Sequence, residues 1–117
     1  MHSVLVVEDD HNIRVTLRNA LEAEGYFIFS AANGIDGLAM LQRIKPPMAI
    51  LLDQTMPLMN GEQFLKIKDS DSSLSIIPVL IISAIEKHCH SESVKGFIRK
   101  PIDLDKLYAA LSKLTPP

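Results

Sequence analysis

Apolar and polar positions follow each other along this chain in short blocks. Runs of β-branched, leucine and aromatic residues suit strands that are buried on both faces of a sheet. Such runs lie at residues 4–7, 26–29, 48–52, 78–82 and 96–98. Segments with helical spacing follow most of them. Strands that alternate with helices form a parallel sheet with helices on both faces, so the pattern predicts an α/β, doubly wound, five-stranded fold.

The helical segments carry apolar residues on one side and capping or breaking residues at their ends. Asn33 and Asp103 are suited to begin the second and last helices, and Asn60-Gly61 marks a turn before the third. Gly25 and the Pro46-Pro47 pair are suited to end the first and second helices. Ile35, Leu38 and Leu41 are expected on the inner side of the second helix. The apolar residues that indicate the other helices are Ile13, Leu17, Ala20 and Leu21; Phe64, Leu65 and Ile67; and Leu104, Leu107, Tyr108, Leu111 and Leu114.

The segment between the fourth and fifth strands departs from this pattern. Residues 84–95 are near the minimum length for a parallel crossover. Ile85, Cys89 and Val94 do not sustain a helical stripe, and the Ser91-Glu92-Ser93 run interrupts the centre. We therefore expect the helix of this crossover, the fourth along the chain, to be shortened, degenerate or absent.

Composition limits the possible functions. The 117 residues fit one domain, 1–117, with a single core. The hydrophobic fraction is 47%, and the net charge of −2 comes without a basic cluster, so direct nucleic-acid binding is not expected. Cys89 has no partner for an internal disulfide, and the apolar runs are too short to cross a membrane. No signal-peptide pattern is present at the start, so we expect a cytoplasmic location.

Polar residues stand where the predicted strands end. Glu8 and Asp9 follow the first strand, Asp53 the third, Ser83 the fourth and Lys100 the fifth. Taken alone, Asp53 could simply cap the turn that follows it. The carboxyl ends of parallel strands meet at one edge of a sheet, however, and ligands of open α/β sheets bind there. The convergence of these side chains favours a functional site.

These converging side chains are suited to only a few kinds of chemistry. Three neighbouring carboxylates repel each other unless a cation joins them, and oxygen ligands without histidine favour Mg²⁺. An ammonium and a hydroxyl at the same site suit the oxygens of a phosphoryl group. Because carboxylates can form aspartyl phosphates, Asp53 is the predicted phosphoacceptor.

The chain resembles the receiver domain of the two-component response-regulator family along nearly its whole length. The matching motifs are Val6-Val7-Glu8-Asp9-Asp10, Leu51-Leu52-Asp53 with Met56-Pro57 and Gly61, Ser83-Ala84, and Phe97-Ile98-Arg99-Lys100-Pro101. The resemblance implies a flavodoxin-like strand order of 2-1-3-4-5. It also implies that segment 84–95 is shorter than usual by a turn of helix or more, on a face that commonly carries dimer contacts and the phosphorylation signal.

The resemblance further implies a metal site and a phosphodonor. Asp9, Asp53 and the backbone carbonyl of Thr55 would bind Mg²⁺ directly, and Glu8 would act mainly through water. A sensor histidine kinase or histidine phosphotransfer protein would phosphorylate Asp53. A downstream effector protein or domain would read the result, and homodimers are among the family's assemblies. Such a domain takes part only in its own phosphoryl transfer and slow self-dephosphorylation, so it is not expected to be an enzyme.

The remaining roles implied by the resemblance concern switching and lifetime. Ser83 and Lys100 would hold the phosphoryl oxygens, and Phe97 would change rotamer with Ser83. Members often carry threonine where Ser83 stands. Thr55 and Ile85 occupy the positions that tune self-dephosphorylation, and neither side chain is well suited to orient a water.

Two other functions remain open at this stage. The first is an interaction module that keeps the fold and no longer switches. The second is a Mg²⁺-dependent aspartyl-phosphate phosphohydrolase resembling the haloacid dehalogenase family, which is disfavoured because Thr55 stands where those enzymes place a second aspartate. A soft-metal site at His88, Cys89 and His90 is disfavoured because consecutive residues do not easily surround one ion. The charged residues of the first helix are expected to form its solvated face; they are Arg14, Arg18, Glu22 and Glu24.

Overall fold

The computed structural model, which describes residues 2–85 and 91–116, contains one parallel sheet in the order β2-β1-β3-β4-β5. The strands are β1 (Ser3–Val7), β2 (Phe27–Ala31), β3 (Ala49–Asp53), β4 (Val79–Ser83) and β5 (Val94–Arg99). This order confirms the predicted flavodoxin-like, doubly wound fold. The order reverses between β1 and β3, so the crevice at their carboxyl ends is the expected ligand site.

Four helices lie in the described part of the chain: α1 (His11–Ala23), α2 (Gly34–Leu41), α3 (Gly61–Asp69) and α4 (Leu104–Leu114). Each begins after an Asp or Asn whose side chain accepts a hydrogen bond from a backbone N–H of the first turn. These caps are Asp10, Asn33, Asn60 and Asp103. The caps at Asn33 and Asp103 confirm the predicted helix starts, and they fix how the chain leaves the carboxyl edge of the sheet.

The core has two layers, one on each face of the sheet. Alternate strand residues point to opposite faces, so Val4 and Val6 pack with α1 and α4, whereas Leu5 and Val7 pack on the side of α2 and α3. The central strands are buried along their whole length. This explains why they read in the sequence as continuous apolar runs rather than as alternating ones.

Ile35, predicted on the inner side of α2, does not face the sheet. It is 50% exposed, and Ile67, one of the apolar residues that indicated α3, is 47% exposed. In α2 the buried residues include Gly34 and Gly37, and an added Cβ at Gly37 would lie 3.1 Å from a methyl group of Val7. The helix thus approaches the sheet through small residues, and its larger Ile35 faces away.

In α3 the buried stripe is Gly61, Phe64, Leu65 and Lys68, at i, i+3, i+4 and i+7. The last position of this stripe is taken by Lys68, a charged residue, and the neighbouring Ile67 lies outside the stripe. The prediction that Pro46-Pro47 stops α2 was also wrong: the helix ends at Leu41, and Gln42 is its C-cap.

The crossover between β4 and β5 is short, as predicted. It spans residues 84–93, too few for three helical turns, which need about 11 residues. The described residues at its two ends form a bend and a turn rather than helix. Residues 86–90, on which the rest of this prediction falls, lie outside the described residues.

Candidate magnesium and phosphoacceptor site

The strand register brings the predicted site residues to one edge of the sheet. Val7 pairs with Leu52, so Glu8, which follows β1, and Asp53, the last residue of β3, lie side by side. Ser83 ends β4 and pairs with Arg99, which places Lys100 directly after the end of β5. The convergence expected from the ends of the strands is therefore observed.

Glu8, Asp9 and Asp53 form an acidic cluster. Each offers one carboxylate oxygen, and these oxygens all lie within 4.8 Å of one another. Glu8 and Asp53 are buried, whereas Asp9 is exposed. Carboxylate oxygens at this spacing, open to solvent on one side, suit Mg²⁺, which usually keeps several of its waters.

Lys100, directly after β5, faces this cluster. Its Nζ lies 3.0 Å from Glu8 Oε1 and 3.4 Å from Asp53 Oδ2. Burial acts to lower the pKa of Lys100, but the ion pair with Glu8 and the negative charge of Asp53 outweigh it and raise that pKa. The side chain is therefore a fixed ammonium between two carboxylates.

Burial raises the pKa of Glu8 to about 7, the Asp53 carboxylate adds to the rise, and Lys100 opposes it. Glu8 Oε1 makes no hydrogen bond within the described structure, although it takes part in the ion pair with Lys100. A buried carboxylate oxygen that accepts no hydrogen bond fits a divalent cation at the cluster, because the positive charge of the cation would favour the charged form of Glu8.

The loop after β3 fixes the orientation of Asp53. The backbone N–H of Thr55 donates to Asp53 Oδ1 at 3.2 Å, while Oδ2 faces Lys100. Gly61 donates from its N–H to the carbonyl of Gln54, and an added Cβ at Gly61 would lie only 3.0 Å from Gln54 Cα. The glycine of the predicted motif thus lets α3 pack directly against the backbone that follows Asp53.

Ser83 is hydrogen-bonded to the start of the crossover. Its hydroxyl donates to the carbonyl of Ile85 at 2.8 Å and accepts from the Ile85 N–H at 3.1 Å. Ile85 is 50% exposed, and Thr55 is exposed as well. Phe97 pairs in register with Ile81 of β4 and is 44% exposed. The proposed switching role of Ser83 and Phe97 stays a prediction, as does the tuning role of Thr55 and Ile85.

The sequence interpretation missed Arg14, which was assigned to the solvated face of α1. Its Nη1 donates to the carbonyl of Glu8 at 2.8 Å and to that of Asp9 at 3.3 Å. Arg18, whose side chain is 42% exposed, also contacts the sheet: its Nη2 donates to Ser30 Oγ at 2.9 Å. Helical side chains point back toward the N-terminus, so an arginine four residues after the Asp10 cap was a signal for contact with the end of β1. The suggested soft-metal residues, His88, Cys89 and His90, lie outside the described residues.

The fold and this site define a flavodoxin-like α/β domain with an acidic cluster and a lysine at its carboxyl edge. A model of the family described as response regulator receiver domain matches residues 4–112. The chain belongs to this family, and it is a receiver domain of two-component signalling. Such domains are signalling switches rather than enzymes that turn over a substrate.

Individual proteins show the same likeness. Sporulation initiation phosphotransferase F of Bacillus subtilis is 30% identical over 116 residues, which cover 97% of this chain and 93% of that protein. The structure of the Vibrio cholerae chemotaxis protein CheY4 matches with a TM-score of 0.86 and 27% identity, over 98% of this chain and 99% of that one.

The response regulator TrrA of Thermotoga maritima, solved in complex with Mg²⁺-BeF, matches with a TM-score of 0.86 and 25% identity, over 98% of this chain and 100% of that one. Within residues 2–85 and 91–116, no helix has the length and apolar character that crossing a bilayer requires.

Proposed function

We propose that this chain is a phosphoacceptor switch whose Asp53 receives a phosphoryl group from a histidine kinase or a histidine phosphotransfer protein in the cytoplasm. The observation that carries the proposal is the setting of Asp53. One of its oxygens is held by the Thr55 N–H, and the other faces the Lys100 ammonium beside two further carboxylates. A residue that only capped a turn would not need this surrounding.

The reaction is a nucleophilic displacement at phosphorus. An Asp53 carboxylate oxygen forms the new P–O bond, the P–N bond of the phosphohistidine breaks, and the imidazole leaves with the electron pair and takes up a proton. Lys100, 3.4 Å from Asp53 Oδ2, is placed to bind an oxygen of the incoming group. Its fixed positive charge offsets the negative charge that the phosphoryl group brings to a buried carboxylate.

Glu8, Asp9 and Asp53 are the residues that would hold Mg²⁺, together with the backbone carbonyl of Thr55. The ion would neutralise the charge that accumulates when a phosphoryl group joins this cluster. Apart from the ion, the chain itself orients Asp53, holds Glu8 buried beside it and supplies the Lys100 ammonium.

The output of the switch would pass through Ser83. In the structure its hydroxyl is bound to the backbone of Ile85. A phosphoryl oxygen on Asp53 would compete for that hydroxyl, releasing the start of the crossover and allowing Phe97 to move. A downstream effector protein or domain would recognise the changed surface.

The function is tested by incubating the protein with acetyl phosphate and either MgCl₂ or EDTA, followed by intact-mass measurement. We expect the mass gain of one phosphoryl group only with Mg²⁺. Asp53→Asn and Asp9→Asn should abolish it. The matched control is Asp71→Asn, which removes a partly buried carboxylate beyond the far end of α3 and should be labelled like the wild type. Unchanged labelling of Asp53→Asn would contradict the proposal.

A receiver-like module that no longer switches is distinguished by a second measurement. Amide chemical shifts of the labelled protein should change at Ser83, Ile85 and Phe97. Labelling without any change at these residues would indicate a domain that accepts phosphate but does not transmit it.

A further inference from the structure

Arg14 reaches from α1 back to the turn that carries two of the cluster's carboxylates. Its Nη1 donates to the carbonyls of both Glu8 and Asp9, at 2.8 and 3.3 Å, and its Nη2 lies 3.3 Å from Nδ1 of His11. The guanidinium therefore contacts main-chain oxygens of the site turn. In the described structure it forms no ion pair with the site's carboxylates.

The same turn is also held by hydrogen bonds among its own residues. Asp10 caps α1 through the Ile13 N–H, and its own N–H donates to Glu8 Oε2 at 3.2 Å. Arg14, in the first turn of the helix, adds its hydrogen bonds to the carbonyls of Glu8 and Asp9. The turn is thus held both by its own hydrogen bonds and by the Arg14 side chain. Because the two carbonyls are engaged by Arg14, the turn presents its side-chain carboxylates to a cation.

We propose that Arg14 is a positioning residue for Mg²⁺: it holds the backbone of Glu8 and Asp9 so that their carboxylates meet Asp53 at the spacing of one ion. The inference rests on the proposed Mg²⁺-dependent function and deepens it. Partners that orient metal ligands in this way typically contribute about 10-fold or more to affinity.

The sign of the effect separates positioning from simple electrostatics. A guanidinium next to a cation site repels the cation, so removing its charge alone would tighten Mg²⁺ binding. Loss of a positioning contact instead weakens binding, because the carboxylates must then be ordered by the ion itself. Arg14→Met removes the charge and the donors together, and the direction of the change in affinity shows which effect dominates.

The experiment is a calorimetric titration of the metal-free protein with MgCl₂, for wild type, Arg14→Met, Arg14→Lys and Arg18→Met. Arg18 is the matched control, since it lies one turn further along α1 and donates to Ser30 Oγ and the Ile28 carbonyl on β2. Urea unfolding without Mg²⁺ is measured on each variant, so that a loss of stability is not mistaken for a loss of affinity.

We expect Arg14→Met to bind Mg²⁺ about 10-fold more weakly than the wild type. Arg14→Lys, which keeps a charged donor, should recover part of that loss, and Arg18→Met should bind like the wild type even if its stability falls. Unchanged or tighter binding by Arg14→Met would overturn the inference, as would an equal weakening in Arg18→Met. A wild type that does not bind Mg²⁺ would instead contradict the proposed function on which the inference rests.

Discussion

Ser93 donates a hydrogen bond from its hydroxyl to Asp69 Oδ1 at 3.1 Å, which joins the residue before β5 to the last residue of α3. Ser91 donates to the other oxygen of the same carboxylate, and Lys68 Nζ lies 2.9 Å from Oδ1. The Lys68 side chain is fully buried. These four residues, the Asp69 cluster, therefore fasten the short crossover to α3 at the edge of the sheet opposite Asp53.

The first prediction is that Asp69→Asn lowers the free energy of unfolding by about 3 kcal/mol, the lower end of the range for losing one partner of a buried ion pair. The lower end applies because the Asp69 side chain is 28% exposed. The physical cause is the Lys68 ammonium, which would remain buried without its carboxylate. Urea unfolding measures the change. The control is Asp71→Asn, since the Asp71 carboxylate accepts its hydrogen bonds from Ser73.

Adding Lys68→Met to Asp69→Asn should restore stability relative to Asp69→Asn alone, since the buried charge is then removed with its partner. A double variant as unstable as the sum of the two single variants would show that the pair is not coupled.

A second prediction concerns the stability of the protein at acid pH. Burial acts to raise the pKa of Asp69, but the hydrogen bond from Ser91 and the contacts with Lys68 outweigh it and hold that pKa below its ordinary value. A carboxyl with a depressed folded-state pKa stabilises the protein above its unfolded pKa of about 3.9, and this contribution is lost as the pH falls through the folded value. The stability difference between wild type and Asp69→Asn should therefore shrink below about pH 4. A difference that stays constant between neutral and acid pH would contradict this account.

Glu8 should have the opposite pH dependence. Its folded-state pKa is raised from 4.5 to about 7, so folding favours its protonated form. Its contribution to stability is full below the unfolded pKa and is lost as the pH rises toward 7. In EDTA, Glu8→Gln should therefore gain stability relative to the wild type between about pH 5 and pH 8, by at most about 3 kcal/mol. Urea unfolding at both pH values tests this, and a difference that does not vary with pH would show that Glu8 stays charged in the fold.

The lifetime of the phosphorylated form is expected to be long. Hydrolysis needs a water in line with the P–O bond, and Ile85 cannot form a side-chain hydrogen bond to such a water. Ile85→Glu adds a group that can orient it, and each ~1.4 kcal/mol of barrier lowering is a tenfold gain in rate. We expect the phosphoryl group to decay faster in this variant after donor removal, as followed by intact mass. A wild-type half-life of seconds, or equal decay in both proteins, would contradict the shielding role.

The fold and the main site residues were predictable because each depended on a strong local signal. Buried parallel strands leave continuous apolar runs, and Asp53, Ser83 and Lys100 stand where those runs end. Since parallel strands share one carboxyl edge, the position along the chain was enough to place these side chains together.

The features that were missed depend on contacts between distant segments. Nothing local marks Lys68 as a buried residue, since the Asp69 carboxylate that pairs with it is held in turn by Ser91 and Ser93 from another part of the chain. Ile35 was expected to face the sheet because it is hydrophobic. The orientation of α2 is instead set by Gly37, through which the helix approaches the sheet closely. Arg14 was counted as a surface charge, although its long side chain folds back onto backbone oxygens.

The most direct test of the account is to locate the phosphoryl group. The wild type and Asp53→Asn are treated with acetyl phosphate and MgCl₂, reduced with borohydride, which converts an aspartyl phosphate to homoserine, and sequenced as peptides by mass spectrometry. The account predicts homoserine at position 53 in the wild type and at no carboxylate in Asp53→Asn. Homoserine at Asp9 or elsewhere in the wild type, with none at position 53, would contradict the claim that Asp53 is the phosphoacceptor.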